Sequence, residues 1–142
     1  MNILFICHAN VCRSFIAQEL LKQLRPELSV FSRGLYADPH YTVPEKVQRF
    51  LASRGIVAAR HVPTQLSAAD MDRADLVLVM EEKQLQQILD SFAQHTDKCY
   101  LLLDYAYGQE TDLADPIVLE GKAFEKQAVL LQRAVENCAK RI

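Results

Sequence analysis

The chain has no tryptophan, few glycines (4 in 142 residues) and no surplus of charge of either sign. Sixteen basic residues against eighteen acidic ones leave a net charge of −2. That balance lacks the basic footprint of a dedicated nucleic-acid binder, so no nucleic-acid partner is expected. No apolar run approaches the roughly 20 residues of a membrane-spanning helix. The apolar stretch at Asn2–Cys7 has no basic residues ahead of it, unlike a secretory signal, and reads as a first strand. A cytoplasmic protein without a membrane partner is expected, and in that reducing setting its four cysteines are thiols rather than disulfides. They form no Cys-x-x-Cys pair, so neither a metal nor another cofactor is expected.

What is present is an ordinary supply of core. Half of the residues are hydrophobic, in a length that suits one domain over 1–142. No repeat, low-complexity tract or linker divides it. Asn2–Cys7 does not alternate, as in a strand buried on both faces. Ser14–Leu24 follows with Ile16, Ala17, Leu20, Leu21 and Leu24 at helical spacing. Ser29–Arg33 reads as a second strand and 34–42 as a loop. Pro44 suits the first position of a helix striped by Val47, Phe50 and Leu51, with Gly55 as its C′ stop. Ser67 is placed to cap a short polar helix ending at Arg73. Asp75–Met80 is a strand, Glu81–Phe92 a helix and Tyr100–Leu103 a strand. Asp104–Glu120 shows no period. Phe124, Ala128, Leu131, Val135, Cys138 and Ile142 share one face of a closing helix. This alternation predicts a single-domain α/β fold, a four-stranded parallel sheet with helices on both faces. Such sheets bind ligands at the carboxyl ends of their strands, which points to the connection after the first strand.

That connection is Cys7-His8-Ala9-Asn10-Val11-Cys12-Arg13-Ser14. A helix N-terminus offers unpaired N–H groups and partial positive charge. Successive loop amides can form an anion nest, and the planar fork of Arg13 fits two phosphate oxygens. His8–Ser14 is therefore a candidate phosphate-binding loop. Positive surroundings of this kind favour the thiolate form of a cysteine, which makes Cys7 a candidate nucleophile beneath a bound phosphorus. A buried cysteine with an arginine six residues later also arises by chance; its place between strand and helix favours the functional reading. Cys138, on an apolar helix face, is most simply a core residue, and Cys99 has an equally plain reading.

The loop resembles the signature of the low-molecular-weight protein tyrosine phosphatases, Cys-x-Gly-Asn-x-Cys-Arg-Ser after an N-terminal strand, at Cys7, Asn10, Cys12, Arg13 and Ser14. The resemblance runs along the chain. Ser32-Arg33-Gly34 is similar to the family's Ser-Ala-Gly, and His61 with Gln65-Leu66 to its His-x-x-x-Gln-Leu. Ala74–Met80 is similar to its Ala-Asp-Leu-Ile-Leu-Val-Met strand, and Asp115-Pro116 to its late Asp-Pro pair. The resemblance implies a phosphomonoester hydrolase, a protein tyrosine phosphatase. Cys7 would form a phosphocysteine and Arg13 would hold the equatorial oxygens. Asp115 would protonate the leaving oxygen and then activate water. It implies that Asn10, Ser14, Ser32 and His61 support the loop, and that Cys12 is a redox partner able to form a reversible disulfide with Cys7. The implied substrate is a phosphorylated protein, with a tyrosine kinase as one candidate, and the implied state is a monomer or weak dimer. Residue types alone leave Asp104, Asp112 and Asp115 equivalent; only the resemblance selects Asp115.

The chain also departs from the family. Ala9 replaces the loop glycine, at a cost of about 1 kcal/mol or more if φ is positive there. Phe15 replaces a proline. Ile117 and Val118 replace aromatics that wall the substrate cleft, a task open to Tyr36 and Tyr41. Val11 is apolar, like the isoleucine usual in tyrosine phosphatases. Protein-arginine phosphatases of the same family have threonine there, so phosphotyrosine is the expected substrate and phosphoarginine the alternative. A thioredoxin-coupled arsenate reductase shares the loop but needs further redox cysteines where this chain reads Val79-Met80-Glu81. A catalytically weak phosphate-binding module is allowed by Ala9 and the missing aromatics, and opposed by Cys7, Arg13 and Asp115.

Overall fold

A computed structural model describes residues 1–58 and 60–142. Strands Asn2–Cys7 (β1), Ser29–Gly34 (β2), Leu76–Val79 (β3) and Cys99–Leu101 (β4) form one sheet in the order β2-β1-β3-β4. Every neighbouring pair is parallel, and the register sets Cys7 beside Gly34 and Ile6 beside Val79. The α-helices are Arg13–Leu24 (α1), Glu45–Ala52 (α2), Ala68–Arg73 (α3), Glu82–Ser91 (α4), Leu102–Tyr107 (α5) and Gly121–Arg141 (α6).

The period of two in β1 sorts its side chains between two cores. Ile3, Phe5 and Cys7 pack with residues of α1, α2, α5 and α6, whereas Leu4 and Ile6 pack with Met71 of α3 and Ile88 of α4. Ile3 to Ile6 are wholly buried, each worth roughly 1.5–3 kcal/mol of hydrophobic stabilisation. Strand order places the site. The chain leaves β1 toward β2 on one side, and leaves β3 toward β4 on the other. The connections after β1 and β3 therefore diverge, and a crevice opens between their carboxyl ends.

Local signals explain most element ends. Ser67 accepts from the Asp70 N–H while Asp70 accepts from the Ser67 N–H, a capping box that starts α3. Gly55, at φ +78°, follows α2. Its N–H reaches Ala52 O at 3.0 Å and the Ile56 N–H reaches Leu51 O at 2.9 Å, the paired bonds of a Schellman stop. Pro44 sits one place before the position expected for it, as the N-cap. Its carbonyl accepts from Val47 and Gln48, and its fixed φ serves there as well. The expected fourth strand over Tyr100–Leu103 is shifted: β4 is Cys99–Leu101, and α5 begins at once. Leu102 and Ala106, four apart, are buried in the core shared with α6, and Gly108 ends the helix with φ +71°. A helix of six residues is too short for its period to stand out from a strand's. The stretch read as irregular, Asp104–Glu120, thus contains the end of α5 and a 3₁₀ turn at Pro116–Val118.

Candidate active site

The Cys7–Arg13 connection fills the crevice. Its turn depends on Asn10, the one non-glycine residue with positive φ (+60°) among the described residues. Asparagine tolerates that conformation. Ala9 does not adopt it, so the loss of glycine there carries no backbone penalty. Asn10 is wholly buried. Its Nδ2 donates to Ser14 Oγ and to Ser32 Oγ, both at 2.9 Å. Its Oδ1 accepts from the Thr64 N–H at 3.0 Å, and its carbonyl from His61 Nε2 at 2.6 Å. Ser32 Oγ in turn donates to Gln18 Oε1 at 2.6 Å. Burial pushes the His61 pKa below its usual value, which suits a neutral ring carrying its proton on Nε2.

Ser14 lies inside the first turn of α1, where Cys12 is the N-cap, so it does not cap the helix. Its Oγ lies 2.9 Å from Cys7 Sγ. Because that oxygen already accepts from Asn10, its hydrogen is free to point at the sulfur. No protein acceptor takes a backbone N–H of His8 to Cys12 among the described residues, and the first-turn amides of α1 have no intrahelical partner. The loop therefore presents unpaired donors beside the sulfur. Gly34 backs it closely: a Cβ there would lie 2.9 Å from His8 O and 3.0 Å from Asn10 N. That approach requires glycine.

Arg13 is 2% exposed. Its Nη1 donates to Glu81 Oε2 at 2.7 Å and to Leu113 O at 2.8 Å. Nη2 lies 3.4 Å from Asp115 Oδ2. Nε and the remaining Nη2 hydrogen are left for a ligand. Asp115 Oδ1 accepts from the Ile117 N–H at 3.0 Å, which turns Oδ2 toward Arg13. Among the three candidate aspartates, Asp112 instead accepts the Glu82 N–H at 2.7 Å at the start of α4. Asp104 lies across the sheet edge, in a cavity lined by Glu82, Leu85 and Tyr100.

Burial pushes the Cys12 thiol well up, with the Asp115 and Cys7 charges adding and Arg13 and Lys46 opposing. Cys138 is pushed up to about 12 and Cys99 to about 11, both by burial. Phe15 stacks on His61 with ring centroids 4.1 Å apart, so the proline of the family pattern is exchanged for a ring that braces the histidine bonded to Asn10 O. Tyr36 is exposed with its ring 5.0 Å from that of His8, and its N–H reaches His8 O at 2.8 Å. Tyr41 lines a neighbouring cavity of about 410 Å³ with His40, Gln48, Arg60 and His61. Ile117 packs partly into the core and Val118 is 83% exposed. Val11 also packs against the core.

Glu81, Gln18 and Thr64 escape sequence reasoning. The bond from Arg13 to Glu81 spans 68 positions. A charged residue just past β3, the strand beside β1, was the available signal. Among the described residues no cluster of three or more His, Cys, Asp or Glu is arranged to hold a metal ion, and no helix is long and apolar enough to cross a membrane.

A cysteine, an unpaired-amide loop and an arginine at the switch point of a parallel sheet define a phosphate-handling α/β enzyme. The family model for low molecular weight phosphotyrosine protein phosphatase matches residues 2–142. The chain is 32% identical over 141 residues to the low molecular weight protein-tyrosine-phosphatase Ptp of Acinetobacter johnsonii, covering 99% of this chain and 97% of the relative. It is 33% identical over 121 residues to a protein-arginine-phosphatase of Bacillus subtilis strain 168, covering 82% and 79%. The crystal structure of a YwlE mutant from Bacillus subtilis superposes with a TM-score of 0.92 at 28% identity, over 99% of this chain and 97% of that one. The chain belongs to the low molecular weight phosphotyrosine protein phosphatase family, whose members act on phosphorylated proteins.

Proposed function

We propose that the chain hydrolyses protein phosphotyrosine through a phosphocysteine on Cys7. One observation carries the reading: Cys7, with Sγ 2.9 Å from Ser14 Oγ, and Arg13, with Nη2 3.4 Å from Asp115 Oδ2, flank one short loop whose amides have no protein acceptor among the described residues. Sγ attacks phosphorus as the bond to the leaving oxygen breaks, and that oxygen takes a proton from Asp115 Oδ2. Water then attacks the phosphocysteine and yields its proton to Asp115. The S–P bond breaks and the departing thiolate is received by the Ser14 hydroxyl. Arg13 and the amides hold the phosphoryl oxygens through both steps. Glu81 and Leu113 O fix Nη1, so the fork cannot swing away. His8 and Tyr36 form a rim against which a flat ring can lie. The apolar Val11 favours phosphotyrosine over phosphoarginine.

In the same reading Cys12 is the thiol that captures oxidised Cys7 as a disulfide, stopping oxidation short of irreversible acids. The enzyme is taken as a cytoplasmic monomer or weak dimer with a tyrosine kinase among its substrates. The test is turnover of matched phosphotyrosine and phosphoarginine peptides in EDTA by the wild type, Cys7→Ser and Arg13→Ala. Faster cleavage of phosphotyrosine by the wild type is expected, with turnover abolished in Cys7→Ser. The reverse substrate order assigns the enzyme to phosphoarginine. Undiminished turnover in Cys7→Ser removes the mechanism.

A further inference from the structure

Asp115 has to hold its carboxyl group over the loop from a segment with little regular structure of its own. Up to Asp115 the backbone is held by the Leu113 N–H on Met80 O (2.8 Å), by Arg13 Nη1 donating to Leu113 O (2.8 Å) and by Gln127 Nε2 donating to Ala114 O (3.1 Å); beyond it the segment's own bonds are the Leu119 N–H on Pro116 O (2.9 Å) and the cap on Ile117. A 3₁₀ turn of three residues, Pro116–Val118, is the segment's only helix.

Beyond Asp115 the long-range support comes from Lys46. Its ammonium donates to Ile117 O, to Leu119 O at 2.8 Å and to Glu120 Oε1 at 3.0 Å. Three N–H donors meet three acceptors, all within four residues of segment that begin two positions after Asp115. The side chain is only 15% exposed, and its ammonium lies 5.5 Å from the centroid of the Phe124 ring. Its position on α2 makes the arrangement more telling. Lys46 is the second residue of that helix, where the positive end of the macrodipole disfavours a cation. The helix gains nothing from a lysine there; the acid-bearing segment does. Lys46 and Asp115 also both act electrostatically on the Cys12 thiol, with opposite signs.

We propose that Lys46 is a positioning residue for the acid step: it clamps residues 117–120 so that Asp115 Oδ2 stays over the phosphate loop. The proposal rests on the reading of Asp115 as the general acid, and its test separates the two. The measurement is kcat/KM for a series of aryl phosphates from 2,4-dinitrophenyl to phenyl phosphate. This parameter reports the steps through departure of the leaving group and is blind to later hydrolysis of the phosphocysteine. A leaving group that departs easily needs no acid; phenolate does.

Asp115→Asn should therefore give a steep decline of kcat/KM with rising leaving-group pKa, and the wild type a shallow one. Lys46→Met should fall between, about tenfold below wild type on phenyl phosphate and within about twofold on 2,4-dinitrophenyl phosphate. Competitive inhibition by inorganic phosphate should be unchanged in Lys46→Met, showing an intact loop. Lys46→Arg, which keeps the charge and the donors, should lie closer to wild type and stands in if Lys46→Met does not fold. A wild-type slope in Lys46→Met beside a steep Asp115→Asn overturns the proposal alone. So does a uniform loss across the series, which is what a merely structural role would give. A wild-type slope in Asp115→Asn overturns the reading of Asp115 and the proposal with it.

Discussion

Asn10 connects the loop after β1 to three separate parts of the chain. Every polar atom of its side chain is bonded, and its carbonyl is held by His61. Its identity was legible, because a tight anion loop calls for a residue that accepts positive φ. Its partners at 32 and 61 were legible only as motifs and Thr64 was not legible, since nothing local announces a bond across tens of positions. Glu81 and Lys46 were not legible at all: one reads as the start of a helix, and the other belongs to no motif. The His61 contact has a consequence for pH. Burial holds its pKa below the usual 6.5, so the unfolded chain binds the proton more readily than the folded one. Stability from this group is fully present above pH 6.5 and is lost as pH falls through the lowered folded value. Thermal midpoints of wild type and His61→Gln from pH 7.5 to 5 should show a steeper acid decline in the wild type; parallel curves would contradict the assignment.

At the scale of elements, the contact between β2 and the loop leaves no room for a side chain. Gly34 ends β2 beside Cys7, and its hydrogen faces backbone atoms of His8, Ala9 and Asn10. Backbone cannot rotate away as a side chain can, so Gly34→Ala must displace the loop or the strand. A displacement of about 1 Å at a reacting centre can cost roughly a hundredfold in rate. Gly34→Ala should lower kcat/KM about tenfold or more while the far-UV circular dichroism stays that of the wild type; an unchanged kcat/KM would show that the loop has room to give. Strands β1 and β3 and helices α1, α3 and α6 were readable from period and caps. Helix α5 was not, because six residues with two buried positions carry too little pattern and its stability comes from packing on α6. The Asp112–Glu120 segment was readable only as irregular, because most of its order comes from Lys46, Arg13 and Met80, far away in sequence, with Gln127 of α6 holding Ala114 O.

At the scale of the whole molecule, strand order explains why residues so distant in sequence meet. The β2-β1-β3-β4 arrangement opens its crevice between β1 and β3. The end of β1 supplies Cys7, the start of α1 supplies Arg13, and the turn after β3 supplies Glu81. The segment before α6 closes over both with Asp115, tied down by α2 through Lys46. The departures at Ala9 and Phe15 leave this frame intact: one sits at ordinary φ, the other stacks on His61. The proposed mechanism requires a phosphoryl group to pass through Cys7. Asp115→Asn mixed with 4-nitrophenyl phosphate still has a leaving group that departs unaided, but lacks the base for the hydrolytic step, so the intermediate should accumulate. After an acid quench, mass spectrometry of the peptides should find one phosphoryl group on Cys7. A phosphoryl group on another residue, or an unmodified Cys7 while nitrophenol is still released, would contradict the account.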